Sequence, residues 1–384
     1  MIIYGALFIP VLSAFILYRY FNRYITWWEF FLPLATSLLF TFLMKIIIEK
    51  VQVSSKEYWG SLVERVEYYE DWNEYIHRTC TTTCCCDSKG QNCQTQTYDC
   101  SYVLYHPPSW RIVTTNKETV SISESEYQRL KQKFNNEQFT ELNNNYYTDD
   151  GDMYSSSWPH DSTTAVPVTT VHYYDNRVKA ADQSVFHFRP VDKADIARYT
   201  LKKYPTITGY YNMQAVIGDS SEDALIADKK LQYINGLLGA KKEIRIFVLV
   251  FKNQPVLAGF YQEWYWSGAN MNEFVICIGV DKERNVQWCK PISWTRSEIL
   301  KSRIKSYVEG QKNLNLQAVV DYTRQQAEKD FVRRDFKEFN YLTVEPPTWA
   351  VVLTYILTVL VNIGVCWWAI RNEFTDENYE SDLY

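Results

Sequence analysis

The chain has 384 residues, a formal net charge of -5 and an apolar fraction of 46%. A negative balance gives no reason to expect nucleic acid as a partner. The length allows one large core or two smaller ones beside any membrane segment. Hydrophobicity is unevenly placed: residues 2–21, 25–44 and 349–370 are strongly apolar, whereas 45–348 have the composition of a water-soluble region.

The first apolar segment, Met1–Phe21, lacks the basic start and the small-residue end of a cleaved signal peptide, so it reads as a membrane helix. The second, Ile25–Met44, has the length of a bilayer crossing. Together residues 1–47 predict a transmembrane helical hairpin. Residues 346–370 predict a third membrane helix, entered after Pro346-Pro347, with Asn362 in its middle as a candidate for a hydrogen bond to another helix. Trp27, Trp28, Trp349, Trp367 and Trp368 lie near segment ends, where indoles favour the interface. Three crossings put residues 48–345 on one side of the lipid bilayer and the polar tail 371–384 on the other. Charge bias points weakly to a cytoplasmic tail and a periplasmic or extracellular soluble region.

After the second span, Trp59, Leu62, Val63, Val66, Tyr69, Asn73 and Ile76 recur at helical spacing, so residues 48–79 predict a membrane-proximal amphipathic helix with a break near Val51–Ser55. Residues 80–189 predict a cysteine-rich loop and an irregular, β-containing region. Six of the nine cysteines crowd here: Cys80, Cys84, Cys85, Cys86, Cys93 and Cys100. Three readings stand. One is a disulfide knot with open connectivity. Another is a metal site using His77, Cys80, Cys84, Cys86 and His106, although no paired C-x-x-C spacing is present. The third is mostly free or otherwise modified thiols. Short strands follow at Ser101–Tyr105 and Trp110–Thr115, then a helix at Ser123–Phe134 with capping-box spacing between Ser123 and Glu126. Residues 135–165 read as a long irregular loop, with strands next at Val166–Tyr174 and Val185–Arg189 and a helix at Lys193–Lys203.

Residues 190–308 predict an α/β or α+β sheet domain. It contains a helix Ala224–Gly236, a buried strand Lys241–Phe251, a hairpin Asn272–Pro291 and a helix Arg296–Val308. Folding the hairpin about Glu283 pairs Ile278 with Trp288 and Cys277 with Cys289, which suits a second disulfide, with two buried free thiols as the alternative. Residues 309–345 predict a charged stalk helix. The fold class is therefore an α+β soluble domain on a three-helix transmembrane anchor with a membrane-proximal helical stalk. The order of elements over Ala224–Ile304, with YWSGANMNEFVICIG at its centre, resembles the TPM-type domain of membrane-tethered bacterial proteins over about a fifth of the chain. That resemblance implies a C-terminal membrane tether. The chain departs from the family at Asn272-Glu273, where an Asn-Gly-type step is expected, and no site residue is carried over.

No P-loop, dinucleotide fingerprint, G-x-S-x-G elbow or H-E-x-x-H helix occurs, so no catalytic residue, cofactor or metal is assigned. Trp264 and Trp266 read as contact anchors if exposed and as core if buried. The absence of N-x-S/T favours a bacterial or phage envelope protein. The leading expectation is a membrane-anchored structural or protein-interaction subunit, forming a homo-oligomer or binding another envelope protein. The competing expectations are a channel or transport accessory subunit, and a tethered hydrolase whose aromatic cleft carries Glu263, Glu273 and Asp281.

Overall fold

A computed structural model describes residues 2–21, 27–84, 94–133, 139–142, 153–157, 164–181, 186, 188–209 and 212–371. The N-terminal stretch forms a 3-10 turn, Ile2–Leu7, then helices α1 (Phe8–Phe21) and α2 (Trp27–Val53). Seven strands come next: β1 (Ser54–Tyr69), β2 (Trp72–Ile76), β3 (Thr79–Cys84), β4 (Gln94–Asp99), β5 (Tyr102–His106), β6 (Ser109–Thr114) and β7 (Thr119–Ile122). Helix α3 (Glu124–Lys133), strands β8 (Phe139–Leu142), β9 (Met153–Ser157) and β10 (Pro167–Asp175), and helices α4 (Arg177–Ala180) and α5 (Lys193–Arg198) lead into a second sheet. That part holds β11 (Val216–Ile217), α6 (Glu222–Lys242), β12 (Arg245–Lys252), α7 (Leu257–Tyr265), β13 (Glu273–Val280), β14 (Val286–Ser293), α8 (Glu298–Glu309) and α9 (Leu316–Asp330). A 3-10 turn, Phe336–Phe339, and α10 (Thr348–Arg371) complete the chain's described elements.

Two compact units result. The first comprises residues 1–56, 173–187 and 335–384. In it α2 and α10 run antiparallel: Ile48 packs with Ala350, the Gln52 amide donates to the Glu345 carbonyl at 3.0 Å, and Asn362 Nδ2 donates to Ser37 Oγ at 2.6 Å. Ser37, Thr41, Thr354, Thr358 and Asn362 are buried, whereas Leu38, Leu39, Phe42, Ile356, Leu360 and Ile363 are exposed. Small polar residues thus fill the helix contact and apolar ones face outward, the inverse of a water-soluble helix pair. Among the described residues two helices are long and apolar enough to cross a membrane, Phe30–Val53 and Thr348–Trp368. The expected first span is divided into a 3-10 turn and the 14-residue α1, with Pro10 in the first helical turn, where its missing N–H breaks no ladder.

The second unit comprises residues 57–172 and 188–334 and holds, among the described residues, two larger sheets and two two-stranded ladders. The first has the order β7-β6-β1-β9-β8, with β10 also paired to β1. Here the expected amphipathic helix 48–79 is corrected. Helix α2 stops at Val53, at the predicted break, and the chain continues as a 16-residue strand. β-Branched and aromatic residues suit that strand once β6 and β9 pair along both its edges. The predicted loop 135–165 contributes the edge strand β8 and its neighbour β9 to this sheet; residues 135–138, 143–152 and 158–163 lie outside the described ones. The expected strand at Val185–Arg189 is not formed by its described residues, Phe186, Phe188 and Arg189.

The second sheet has the order β11-β12-β13-β14, parallel except for the last pair. Strand β12 is buried through Phe251 and β13 throughout, as expected of strands covered on both faces. Ile246, Val248 and Val250 face helices α6, α8 and α9, while Phe247, Leu249 and Phe251 face α7 and the segment around Tyr199–Tyr204. The chain steps the same way from β11 to β12 to β13, yet α6 and α7 cover opposite faces, so the two crossovers have opposite hands and one is of the rare hand. Helix α9 belongs to this core through Leu316, Val319, Val320 and Ala327, which corrects the expected stalk helix at 309–345. Its apolar stripe is satisfied by α6 and α8, and it ends at Asp330.

Helix α6 outruns its prediction because both ends are well made. The Ser221 hydroxyl accepts from the Ala224 amide, Glu222 and Asp223 fill the first turn, Lys241 and Lys242 the last, and Glu243 stops it at φ 54°. Gly236 and Gly239 let α6 lie against Gly60 of β1, where an added Cβ would collide with backbone.

Candidate interaction surface

Strands β1 and β6 pair out to Tyr69 and Ser109, and the same two chains then leave the sheet as a two-stranded arm. Strand β2 pairs β5 from Trp72↔His106 to Ile76↔Tyr102, and β3 pairs β4 from Thr79↔Asp99 to Cys84↔Gln94. The ladder is interrupted at Glu70-Asp71 and Pro107-Pro108, since proline has no N–H to give. A second interruption, at His77-Arg78 and Cys100-Ser101, is held by the disulfide Cys80–Cys100, whose Cα atoms are 5.8 Å apart. The Cys100 amide also donates to the Arg78 carbonyl at 2.9 Å, and the Ser101 hydroxyl bonds the Asp99 carboxylate. The Ser101 side-chain and backbone bonds hold the Asp99 carboxyl below its ordinary range.

A ribbon of two strands has no second layer to cover it. Tyr75, Tyr98, Tyr102, Val103, Leu104 and Tyr105 are accordingly all exposed, on both faces. Trp72 stacks on His106 with ring centroids 4.3 Å apart, and His106 Nε2 lies 2.8 Å from Glu74 Oε2. Exposed tyrosines on a crosslinked frame form the surface type that protein interfaces favour, large rigid contacts with few torsions to freeze.

At the root of the arm the rings of Trp110, Tyr68 and Tyr154 form a row across β6, β1 and β9, in register, with neighbouring centroids 5.6 Å apart and planes within 19°. Tyr127 of α3 adds a fourth ring 5.9 Å from Tyr68. These rings line a cleft of about 270 Å³ with Glu70, Glu124, Gln128 and Lys131 around it. Tyr154 donates its hydroxyl to Glu70 at 2.9 Å. Burial, then the charges of Glu70, Asp71 and Glu124, push the Tyr68 phenol up.

The predicted site residues are dispersed. Cys80 and Cys100 form the disulfide. Cys85, Cys86 and Cys93, with the Cys84 side chain, lie outside the described residues, and no metal-holding group of His, Cys, Asp or Glu occurs among the described ones. The expected Cys277–Cys289 bond is corrected: both are buried free thiols. A bulge between Gly279 and Val280 shifts the register, so Cys289 faces Ile278 rather than Cys277. Cys277 then belongs to the α7 side of the sheet and Cys289 to the α6 side. Burial pushes the Cys289 thiol up to about 12.

Trp266 is part of the core as its indole donates to the Lys202 carbonyl at 2.8 Å and its ring meets Tyr204 and Phe247. Trp264 is half-buried beside Tyr261 and Arg189. Asn362 forms its bond within the chain, to Ser37. The hydrolase carboxylates do not converge. Glu263 pairs with Lys290 at 2.8 Å, Asp281 closes the β13–β14 turn, and Glu273 is buried with Tyr204 and Asn270 as donors. Burial pushes the Glu273 carboxyl up, against those bonds. At the other end of the parallel strands, Asp219 bonds Lys252, Ser221 and Arg284. Burial raises its pKa, but these partners outweigh it and hold the pKa at about 2.

The aromatic row is not singled out from sequence, because residues 48–79 read as a helix and Tyr68 has no place on its apolar stripe. What a single sequence conceals is that Trp110 and Tyr154 lie level with Tyr68, because pairing register is not local. No protein-family model, curated protein or solved structure matches this chain.

Proposed function

We propose that this chain is a membrane-anchored structural or interaction subunit of an envelope-associated assembly, and that the arm is what it presents to its partner. The observation that carries the reading is the disulfide-held ribbon with exposed tyrosines on both faces. A soluble monomer gains nothing from such a surface and risks aggregation by it. A structural disulfide on an exposed element suits an oxidising compartment, hence a periplasmic or extracellular placement.

Anchoring is read from the first unit. Only 22% of the apolar window in α2 and 28% of that in α10 is buried, whereas a core helix of a soluble protein would be mostly covered. The six residues of the 3-10 turn at about 2.0 Å and the fourteen of α1 at about 1.5 Å give about 33 Å, enough for a third crossing beside the other two.

Two measurements test this. Protease-protection mapping in membranes is expected to find residues 60 and 320 on one face of the bilayer; opposite faces would end the anchoring scheme. Mass determination in mild maltoside detergent, from the native membrane, is expected to find an assembly. Replacing Tyr75, Tyr102 and Tyr105 by Ser should dissociate it while leaving the far-ultraviolet spectrum unchanged. A strict monomer, or an assembly indifferent to the triple variant, would remove the arm from the interface.

A further inference from the structure

Strand β1 carries one recognition pattern twice, and the pair Tyr68 and Glu70 repeats its spacing across the strand's end. A carboxylate and an aromatic ring stand two residues apart on the same face of the strand, where one arginine can use both. Glu57 and Trp59 take Arg333, which lies 2.5 Å from the Glu57 carboxylate and 5.4 Å from the Trp59 ring centroid. Glu67 and Tyr69 take Arg111, 2.6 Å from the carboxylate and 4.4 Å from the ring. Tyr68, on β1, and Glu70, just past its end, both line the cleft at the root of the arm, and among the described residues that line it there is no arginine.

The cleft exceeds the two filled examples in what it offers. Four rings meet there instead of one. Among the described residues that line it, two carboxylates, Glu70 and Glu124, are accompanied by the ammonium of Lys131. Asp71 lies close enough to act on the Tyr68 phenol as well. A planar guanidinium suits this better than a compact ammonium, since it stacks on rings while its edge donates to carboxylates. The cleft also adjoins the exposed ribbon, so a ligand there would share a surface with whatever the arm meets.

We infer that the cleft lined by Tyr68, Trp110, Tyr127 and Tyr154 receives an arginine side chain from the arm's protein partner. The inference rests on the reading of the arm as an interface, but its test does not. The full chain, in maltoside free of choline lipids, is titrated with Nα-acetyl-arginine amide and with its uncharged isostere Nα-acetyl-citrulline amide, followed by saturation-transfer NMR of the probe.

Saturable binding of the arginine probe is expected, with citrulline weaker by about tenfold or more. The double variant Glu70→Gln/Glu124→Gln should lose about tenfold, and Lys131→Gln should gain about two- to threefold. Because the two variants move affinity in opposite directions, a general loss of folding cannot mimic the pair. Equal binding of citrulline, an unchanged affinity in the double variant, or tighter binding of choline than of the arginine probe would each overturn the inference, the last in favour of a lipid headgroup. Arginine binding without any assembly would sink the arm interface and spare the cleft; an arm-dependent assembly without arginine binding would do the reverse.

Discussion

The sheet β11–β14 and the arm β2–β5 are both built from strands, and they put their side chains to opposite use. In the sheet, Phe247, Leu249, Val275 and Ile276 are fully buried between helices on two faces. In the arm, Tyr75, Val103 and Tyr105 are more than half exposed. The sheet is held by area removed from water, on the order of 25 cal/mol per Å². The arm has little such area and relies on ladder hydrogen bonds and one covalent link. Stability is therefore concentrated in the sheet, and the recognition proposed for the arm lies elsewhere in the same unit, so substitutions should separate the two.

The largest expected contrast is between Leu231→Ala and Tyr98→Ala. Leu231 is wholly buried on α6, and truncation should cost about 2–5 kcal/mol through lost burial and the cavity left behind. Tyr98 is half exposed, and its truncation should stay within about 0.5 kcal/mol. Denaturant unfolding of the full chain checks both. Equal losses would mean that the arm is packed against something in the folded monomer.

Next in size is Cys80→Ser. The disulfide closes a separation of 20 residues, worth about 3 kcal/mol in the chain-entropy picture. That constraint acts on the arm alone, so hydrogen exchange should accelerate at residues 79–84 and 94–102 while β12 and β13 keep their protection. Loss of protection in β13 would show that the arm and the sheet unfold as one.

How far the sequence led differs between the two regions for the same reason. Helix α10, strand β12 and the Ser123 cap were legible, because continuous apolar runs and capping spacing are local signals. Strand β1 was misread as a helix. Its apolar residues happen to recur every three or four positions, and the partners that make it a strand lie about 45 and 90 residues away, in β6 and β9. The Cys277–Cys289 pairing failed by one register position, at a bulge that nothing in NEFVICIGVDKERNVQWC announces. The cleft was illegible for the same reason: its rings come from β1, β6, β9 and α3.

A smaller effect should appear with pH at the carboxyl ends of the parallel strands. The folded pKa of Asp219, about 2, lies below the ordinary value of 3.8. A depressed carboxylate stabilises the fold fully above its unfolded pKa and loses that contribution as pH falls through the folded one. Melting temperature should therefore decline between about pH 4 and pH 2, and Asp219→Asn should flatten that slope. An unchanged slope would assign the acid sensitivity to other carboxylates.

The smallest effect is expected inside the first unit, at Asn362. Its amide donates to Ser37 Oγ at 2.6 Å and to the Thr358 carbonyl at 2.9 Å, so it is used within the chain. Hydrogen bonds between membrane helices are worth about 0.6 kcal/mol on average, because the unfolded helices find other partners in the bilayer. With α2 and α10 in the bilayer as proposed, Asn362→Leu should thus lower stability only by about that amount and leave the mass of the detergent-solubilised protein unchanged. If the variant instead changed subunit number, the Asn362 amide would be bonding between copies, and the interface would have to be sought on α2 and α10 rather than on the tyrosines of the arm.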